Sequence, residues 1–297
     1  SSISKPFYAV IAGVGAGTGR SVALRFAQAY PVVLLSRRPE SYNPVVDEIR
    51  QQGGEALGIS TDLTDPNSVK AAFETIKREL PGRQLAAAIC EFALLRTYRM
   101  GLAVLPSSTV DRTDQPPICS EIIRASVLMG MRRQRILQTV NQILSRYNPG
   151  RLVSIPCRQC VTLPSHLICP GFMSLQPDFS HGLLNFAHSA LPLLLSSVSA
   201  TPAPPYPPTL IITGATASLR GSARFGAFAA GKFAVRALGQ SLAREFGPQG
   251  VHVAHVIVDG VIDMPLTKGW PANGGVEDGK LNPDAVSFLL IQIKLHG

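Results

Sequence analysis

The stretch Phe7-Tyr8-Ala9-Val10-Ile11-Ala12-Gly13-Val14-Gly15-Ala16-Gly17-Thr18-Gly19 decides the fold of this 297-residue chain. A short apolar run ends in glycines, and the segment after Gly19 carries apolar residues at Val22, Leu24, Phe26 and Ala27, as a packed helix does. In that context, strand then turn then helix, glycines let the backbone approach a pyrophosphate. The helix N-terminus adds free N–H groups and a partial positive charge. The alternative is a tight strand-to-helix turn that holds no ligand.

Outward from the turn, strands and helices alternate. Residues 32–35 form a second buried strand, and residues 44–52 read as a helix closed by Gly53-Gly54. Residues 56–60 are a third strand, 65–80 a helix with an Asp start and a Pro-Gly stop, and 85–89 a fourth strand. The pattern resumes near Gly182 with a helix at 183–197, a proline-rich loop at 201–208 and a strand at 209–213. A long helix at 228–246 and a strand at 251–258 follow, then an apolar segment at 287–295. Strands spaced by helices of this length predict an α/β fold, one doubly wound parallel sheet with right-handed crossovers. The chain thus divides into residues 1–89, the first half of a Rossmann-like domain, 90–181, an irregular insertion, and 182–297, the second half.

Composition excludes several classes. An apolar share of 45% with 16% charged residues does not fit a disordered chain, and five cysteines are too few for a disulfide scaffold. The most apolar region, 183–198, is interrupted by His188 and Pro192, so no membrane span is expected. The first residues lack the basic start and apolar core of a signal peptide, and the expectation is a soluble, cytoplasmic chain. The net charge of +9 suggests nucleic acid or anionic lipid, but its distribution weakens that reading.

More than half of the excess charge lies in residues 90–181, which hold ten arginines, no lysine and five acidic residues, together with all five cysteines. Its one periodic run is Ile136, Leu137, Val140, Ile143 and Leu144, an amphipathic helix. Cys157, Cys160, His166 and Cys169 have metal-ligand softness, but their spacing and the surrounding prolines read as unrelated reduced cysteines, so no metal is expected. Arg132, Arg133 and Arg135 lack interleaved aromatics and read as a solvated basic face rather than a nucleic-acid site. Because the chain leaves the strand–helix pattern abruptly at Cys90 and regains it abruptly, residues 90–181 read as sequence that splicing normally removes. Residues 286–297 raise the same reading.

The end of the second strand bears on the cofactor. A carboxylate there would accept from a ribose 2′-hydroxyl; instead Ser36 is followed by Arg37 and Arg38, two guanidinium groups suited to a 2′-phosphate. The alternative is a solvated arginine pair at a strand end. Asp62 and Leu63, after the third strand, are placed to contact an adenine. NADP (NADPH) is therefore favoured over NAD.

These residues make the chain resemble the short-chain dehydrogenase/reductase family, whose turn reads Thr-Gly-x-x-x-Gly-x-Gly. Here it is Ala12-Gly13-x-x-x-Gly17-x-Gly19, with Gly15 inside it. Asp62-Leu63 and the block 209–260, with Lys232 at the place of the family's Tyr-x-x-x-Lys lysine, also fit. The resemblance covers residues 5–89 and 182–285. It implies hydride exchange between a nicotinamide and a carbonyl or alcohol, with a tyrosine passing the proton. The lysine lowers that phenol's pKa, a serine orients the substrate, and an asparagine on the helix after strand four relays protons.

Of these groups only Lys232 is present. Phe228 occupies the tyrosine position and Ala215 the serine position, and no asparagine can be assigned to the relay. Loss of a positioned acid lowers rates by about 10²–10⁴-fold, so ordinary carbonyl reduction is expected to be impaired. Ser218, Ser222, Tyr206 and Asp259 are the candidate substitutes; all have bland readings as loop hydroxyls or a turn cap. Two functions remain open: an NADP(H)-dependent oxidoreductase with altered proton chemistry, and a non-catalytic dinucleotide-binding protein or defective chain. The apolar loop with Met264, Leu266 and Trp270 reads either as the lining of a pocket for a small hydrophobic substrate or as an exposed flap with packed apolar contacts, and the resemblance implies self-association through the helix at 228–246.

Overall fold

Six strands run parallel in one sheet of order β3-β2-β1-β4-β5-β6. They are β1 (Phe7–Ala12), β2 (Val32–Ser36), β3 (Ala56–Ser60), β4 (Gln84–Cys90), β5 (Thr209–Ala215) and β6 (His252–Val258). The computed structural model describes residues 6–91, 177–222, 225–276 and 278–296, which lie within one compact unit. The arginine cluster, the amphipathic run and Cys157, Cys160, His166 and Cys169 lie outside the described residues, as does nearly all of the 90–181 segment.

The near-continuous apolar strands have the composition of strands covered on both faces. Every residue of β1 is buried, as are the first four of β2. One face carries α3 (Pro66–Glu79), α4 (Gly182–Val198) and α5 (Gly226–Phe246), whose Phe73, Leu183, Phe186 and Val235 pack with Val10, Ala88 and Ile212. The other face carries α1 (Thr18–Ala27), α2 (Pro39–Gln51) and α6 (Pro283–His296), where Val22, Phe26, Ile49 and Leu290 meet Ala9, Ile11 and Leu34. Each fully buried Phe or Leu contributes about 1.5–3 kcal/mol of transfer free energy.

Local chemistry sets the helix ends. Asp65 caps α3 by accepting from the Asn67 amide at 2.9 Å, and Pro66 opens the first turn, where a missing N–H costs nothing. The helix read at 44–52 begins earlier, at Pro39. Pro39 sits in the first turn, and Pro44 forfeits only the bond to the Glu40 carbonyl near the helix start, so the helix runs through it. Residues 287–295 belong to α6, whose Val286, Ser287, Leu290, Ile291 and Lys294 form the buried face. No seventh strand is present among the described residues.

The pattern also extends past the point where the sequence reading ends it. Cys90 closes β4, paired with Ala12 and Ile212. The Glu91 amide donates to the Ala12 carbonyl at 2.9 Å. A π-helical turn, Pro177–His181, precedes α4 and places Phe179 in the core. The sheet order reverses between β1 and β4, so a crevice opens where their C-terminal ends meet.

Candidate functional site

The glycine turn stands at that crevice. Gly13 has φ +90°, and a β-carbon there would lie 1.8 Å from the Glu91 carbonyl oxygen, so no other residue fits. A β-carbon on Gly19 would lie 2.8 Å from the Gly13 carbonyl oxygen, whereas one on Gly15 would meet nothing within 4 Å. Gly17 begins α1 with no side-chain cap. The first amides of α1 thus face a backbone that an anion can approach, which is the geometry a pyrophosphate requires.

At the end of β2, Ser36 pairs in register with Ser60, and Arg37 and Arg38 are exposed. Neither arginine forms an ion pair among the described residues. Arg20, also near the turn, is held by Glu48 of α2. The Asp62 carboxylate accepts from the Thr64 amide and hydroxyl at 3.0 and 2.8 Å, which shapes the turn after β3. The Leu63 carbonyl accepts from Asn185 Nδ2 at 2.9 Å. That bond ties α4 to the turn after β3.

Lys232, on α5, is only 2% exposed. Its Nζ donates to the Thr213 carbonyl at 2.9 Å and lies over two rings, 5.2 Å from the centroid of Phe179 and 5.8 Å from that of Phe228. The two rings meet edge to face at 5.8 Å. Burial lowers the Lys232 pKa to about 8, against the opposing pull of Glu91. The same burial raises the pKa of Glu91, which accepts from Thr213 Oγ1 at 2.5 Å. The ammonium therefore faces aromatic carbon, and one of the two rings, Phe228, stands where the resemblance places the proton-carrying tyrosine.

The substitute donors are dispersed. Ser218 is fully buried, and its hydroxyl accepts from the Ala215 amide at 3.1 Å. Tyr206 precedes β5, at the opposite edge of the sheet from the glycine turn, where its carbonyl accepts from Lys294. The Ser222 carbonyl accepts from the Phe225 amide at 3.0 Å, in the turn before α5. Asp259 does meet a hydroxyl: Thr216 Oγ1 donates to its Oδ1 at 2.5 Å, joining the ends of β5 and β6. In the loop after β6, Lys280 donates to the Thr267 and Lys268 carbonyls at 2.7 Å, and Met264 reaches Gly17.

Sequence reading missed Glu91, Thr213, Phe179 and Thr216. Glu91 had a signal, an acid directly after a buried strand beside the glycine turn. Phe179 had none, because it follows the segment that breaks the pattern.

Fold and turn define the class, a doubly wound α/β protein with a glycine turn at its switch point. Residues 8–85 match the family model for short chain dehydrogenase. Over 64 residues the chain is 41% identical to 7alpha-hydroxysteroid dehydrogenase of Escherichia coli K12, covering 21% of this chain and 25% of that protein. It is 40% identical over 67 residues to cyclohexanol dehydrogenase of Acinetobacter sp. SE19, covering 22% and 27%. The matched segments thus span about a quarter of the length of these relatives.

Among solved structures, a short-chain dehydrogenase from Rhodopseudomonas palustris superposes with a TM-score of 0.55 at 22% identity, covering 97% of this chain and 91% of that one. One from Burkholderia cenocepacia, in complex with NADP, gives 0.61 at 16% identity, covering 98% and 91%. The sequence likeness to short chain dehydrogenase thus lies in residues 8–85, and the superpositions, both below 25% identity, show that the fold is shared. No helix among the described residues is long and apolar enough to cross a membrane.

Proposed function

We propose that this chain binds NADP(H) in the crevice between β1 and β4 and that its hydride chemistry on a carbonyl or alcohol is impaired. The glycine turn and uncapped start of α1 would hold the pyrophosphate, Arg37 and Arg38 the 2′-phosphate, and Lys232 the nicotinamide ribose. The bound nicotinamide would supply or accept the hydride. The observation that carries the reading is the position of Lys232 over Phe179 and Phe228. The cation is retained, and the positions expected to hold proton carriers are carbon. A small hydrophobic substrate fits the loop bearing Met264, Leu266 and Trp270.

A second reading, a slow oxidoreductase, is favoured by the Thr216–Asp259 hydrogen bond between the C-terminal ends of β5 and β6. That pair could accept a substrate proton in place of the phenol. Titration of the chain with NADPH, followed by a panel of carbonyl compounds, tests both. Quenched or shifted cofactor fluorescence without oxidation supports the first reading; oxidation abolished by Asp259→Asn supports the second. Absence of NADPH binding overturns both.

A further inference from the structure

Thr213 links two buried ionisable side chains. Its hydroxyl donates to Glu91 Oε1 at 2.5 Å while its carbonyl accepts from Lys232 Nζ at 2.9 Å. All three residues are buried, at the adjoining C-terminal ends of β4 and β5 and on the helix that crosses them. Lys232 is buried with two aromatic rings near its ammonium, so bulk water does not solvate it. A buried cation without a counter-charge sheds its proton.

We propose that Glu91 is a positioning residue that acts through Thr213 to keep the Lys232 ammonium charged and directed into the nicotinamide end of the crevice. This rests on the dinucleotide reading of the site. The turn geometry explains why an acid can stand there: the Glu91 amide closes on the Ala12 carbonyl, and Gly13 has no side chain to displace it. The other titratable or charged groups that influence the cluster are Cys90, His255 and Arg236. Burial raises the Cys90 thiol pKa and lowers that of His255 to about 4, so between pH 6 and 8 both are neutral. Glu91 is the acid joined to Lys232 through Thr213; burial raises its own pKa, while the Thr213 hydrogen bond and the nearby Lys232 favour the carboxylate that offsets the desolvation of Lys232.

The test is Glu91→Gln in the full chain, which keeps an acceptor for Thr213 and removes the charge. The first readout needs no cofactor: the pH titration of the Lys232 ¹³Cε resonance, assigned by its loss in Lys232→Gln. Removing an anion disfavours the ammonium, so the midpoint is expected to fall by about one unit or more. The second readout is NADPH affinity against pH. Its alkaline limb is expected to move down in step, with affinity about fivefold or more weaker at pH 8 and little changed at pH 6. An unmoved resonance overturns the proposal, as does a moved resonance with an unmoved affinity limb. If Glu91→Gln does not fold, Thr213→Val is measured the same way, and an unchanged Lys232 midpoint there overturns the proposal. If the parent chain binds no NADPH, the dinucleotide reading fails, and the resonance still decides whether Glu91 holds the ammonium.

Discussion

Met264 packs on Gly17, its Sδ 2.8 Å from where a β-carbon on that glycine would stand. The loop after β6 therefore reaches the first turn of α1. Two glycines of one motif accordingly predict different failures. In Gly17→Ala the obstacle is a flexible thioether that can swing aside, so stability should change by less than about 1 kcal/mol. The added methyl narrows the approach to the α1 amides, and NADPH affinity should fall about tenfold or more. In Gly13→Ala the methyl meets the Glu91 backbone at φ +90°, and thermal melting should show a loss of about 3–4 kcal/mol, roughly 10 °C. A Gly17→Ala variant with unaltered affinity would remove the turn from the binding site.

Arg37 and Arg38 are exposed at the end of β2 and make no ion pair among the described residues. Replacing both with alanine should leave the melting temperature within experimental error. NADPH affinity should fall about tenfold or more, since each charge-assisted bond to a phosphate contributes about 1.5–3 kcal/mol. NADH affinity should hardly change. The ratio of the two affinities, measured by calorimetry, separates recognition of the 2′-phosphate from a general loss of positive field.

The fold was legible because its signals are local. The apolar run ending at Ala12, the glycines after it and the Asp65 cap each act within a few residues. The helix at 44–52 was cut short because Pro44 was read as a start, when a proline in the second turn costs one hydrogen bond. The cofactor end of the site was legible for the same reason, since Gly13 to Gly19 and Arg37-Arg38 are contiguous. The nicotinamide end was half legible: Phe228, four residues before Lys232, is read off a helix. Glu91 and Thr213 are 122 positions apart and meet only through the pairing of β4 with β5. Phe179 reaches Lys232 through a packed π-helical turn that no periodicity announces.

Cys90 and Phe179, on either side of residues 92–176, both lie in the core that covers one face of the sheet. A chain in which a short glycine-serine linker replaces residues 92–176 is therefore expected to fold, with a single cooperative melt no lower than that of the parent. Its NADPH affinity should match within about threefold. The measurement is paired calorimetry of the two chains. Loss of the cooperative melt would show that the segment contributes to the native core and would refute its reading as sequence normally removed by splicing.

His255 faces β5 beneath Gly214, and its Nε2 is buried without a hydrogen-bond partner among the described residues. Burial, then the charges of Lys232 and Arg236, lower its pKa to about 4. The unfolded chain protonates this imidazole near pH 6.5 and the folded chain does not, so between those values the unfolded state binds more protons. Stability should therefore fall as pH drops from about 6.5 to 4, with the imidazole's partial exposure reducing the effect. His255→Gln should flatten that limb of a melting-temperature profile, and a limb equally steep in the variant would place the acid sensitivity elsewhere.

Phe228 and Ala215 offer the most direct test of what the site has lost. Lys232 already lies 5.8 Å from the Phe228 ring, so a phenol there would stand beside a cation that favours its ionised form. Ala215 ends β5 on the same side, where a serine hydroxyl could bond a substrate oxygen. The double variant Phe228→Tyr, Ala215→Ser should therefore gain carbonyl-dependent NADPH oxidation, by about tenfold or more over the parent, as expected for restoring a positioned acid. Phe179 remains in contact with Lys232 and Phe228, so adding Phe179→Asn should increase the rate again by opening a polar path to the ammonium. Steady-state rates with a panel of apolar ketones and aldehydes, beside NADPH titrations of each variant, check both steps. Intact NADPH binding with no gain in the double or triple variant would mean that substrate does not reach the Lys232 end of the crevice, and that the protein is a binder of the dinucleotide rather than a weakened enzyme.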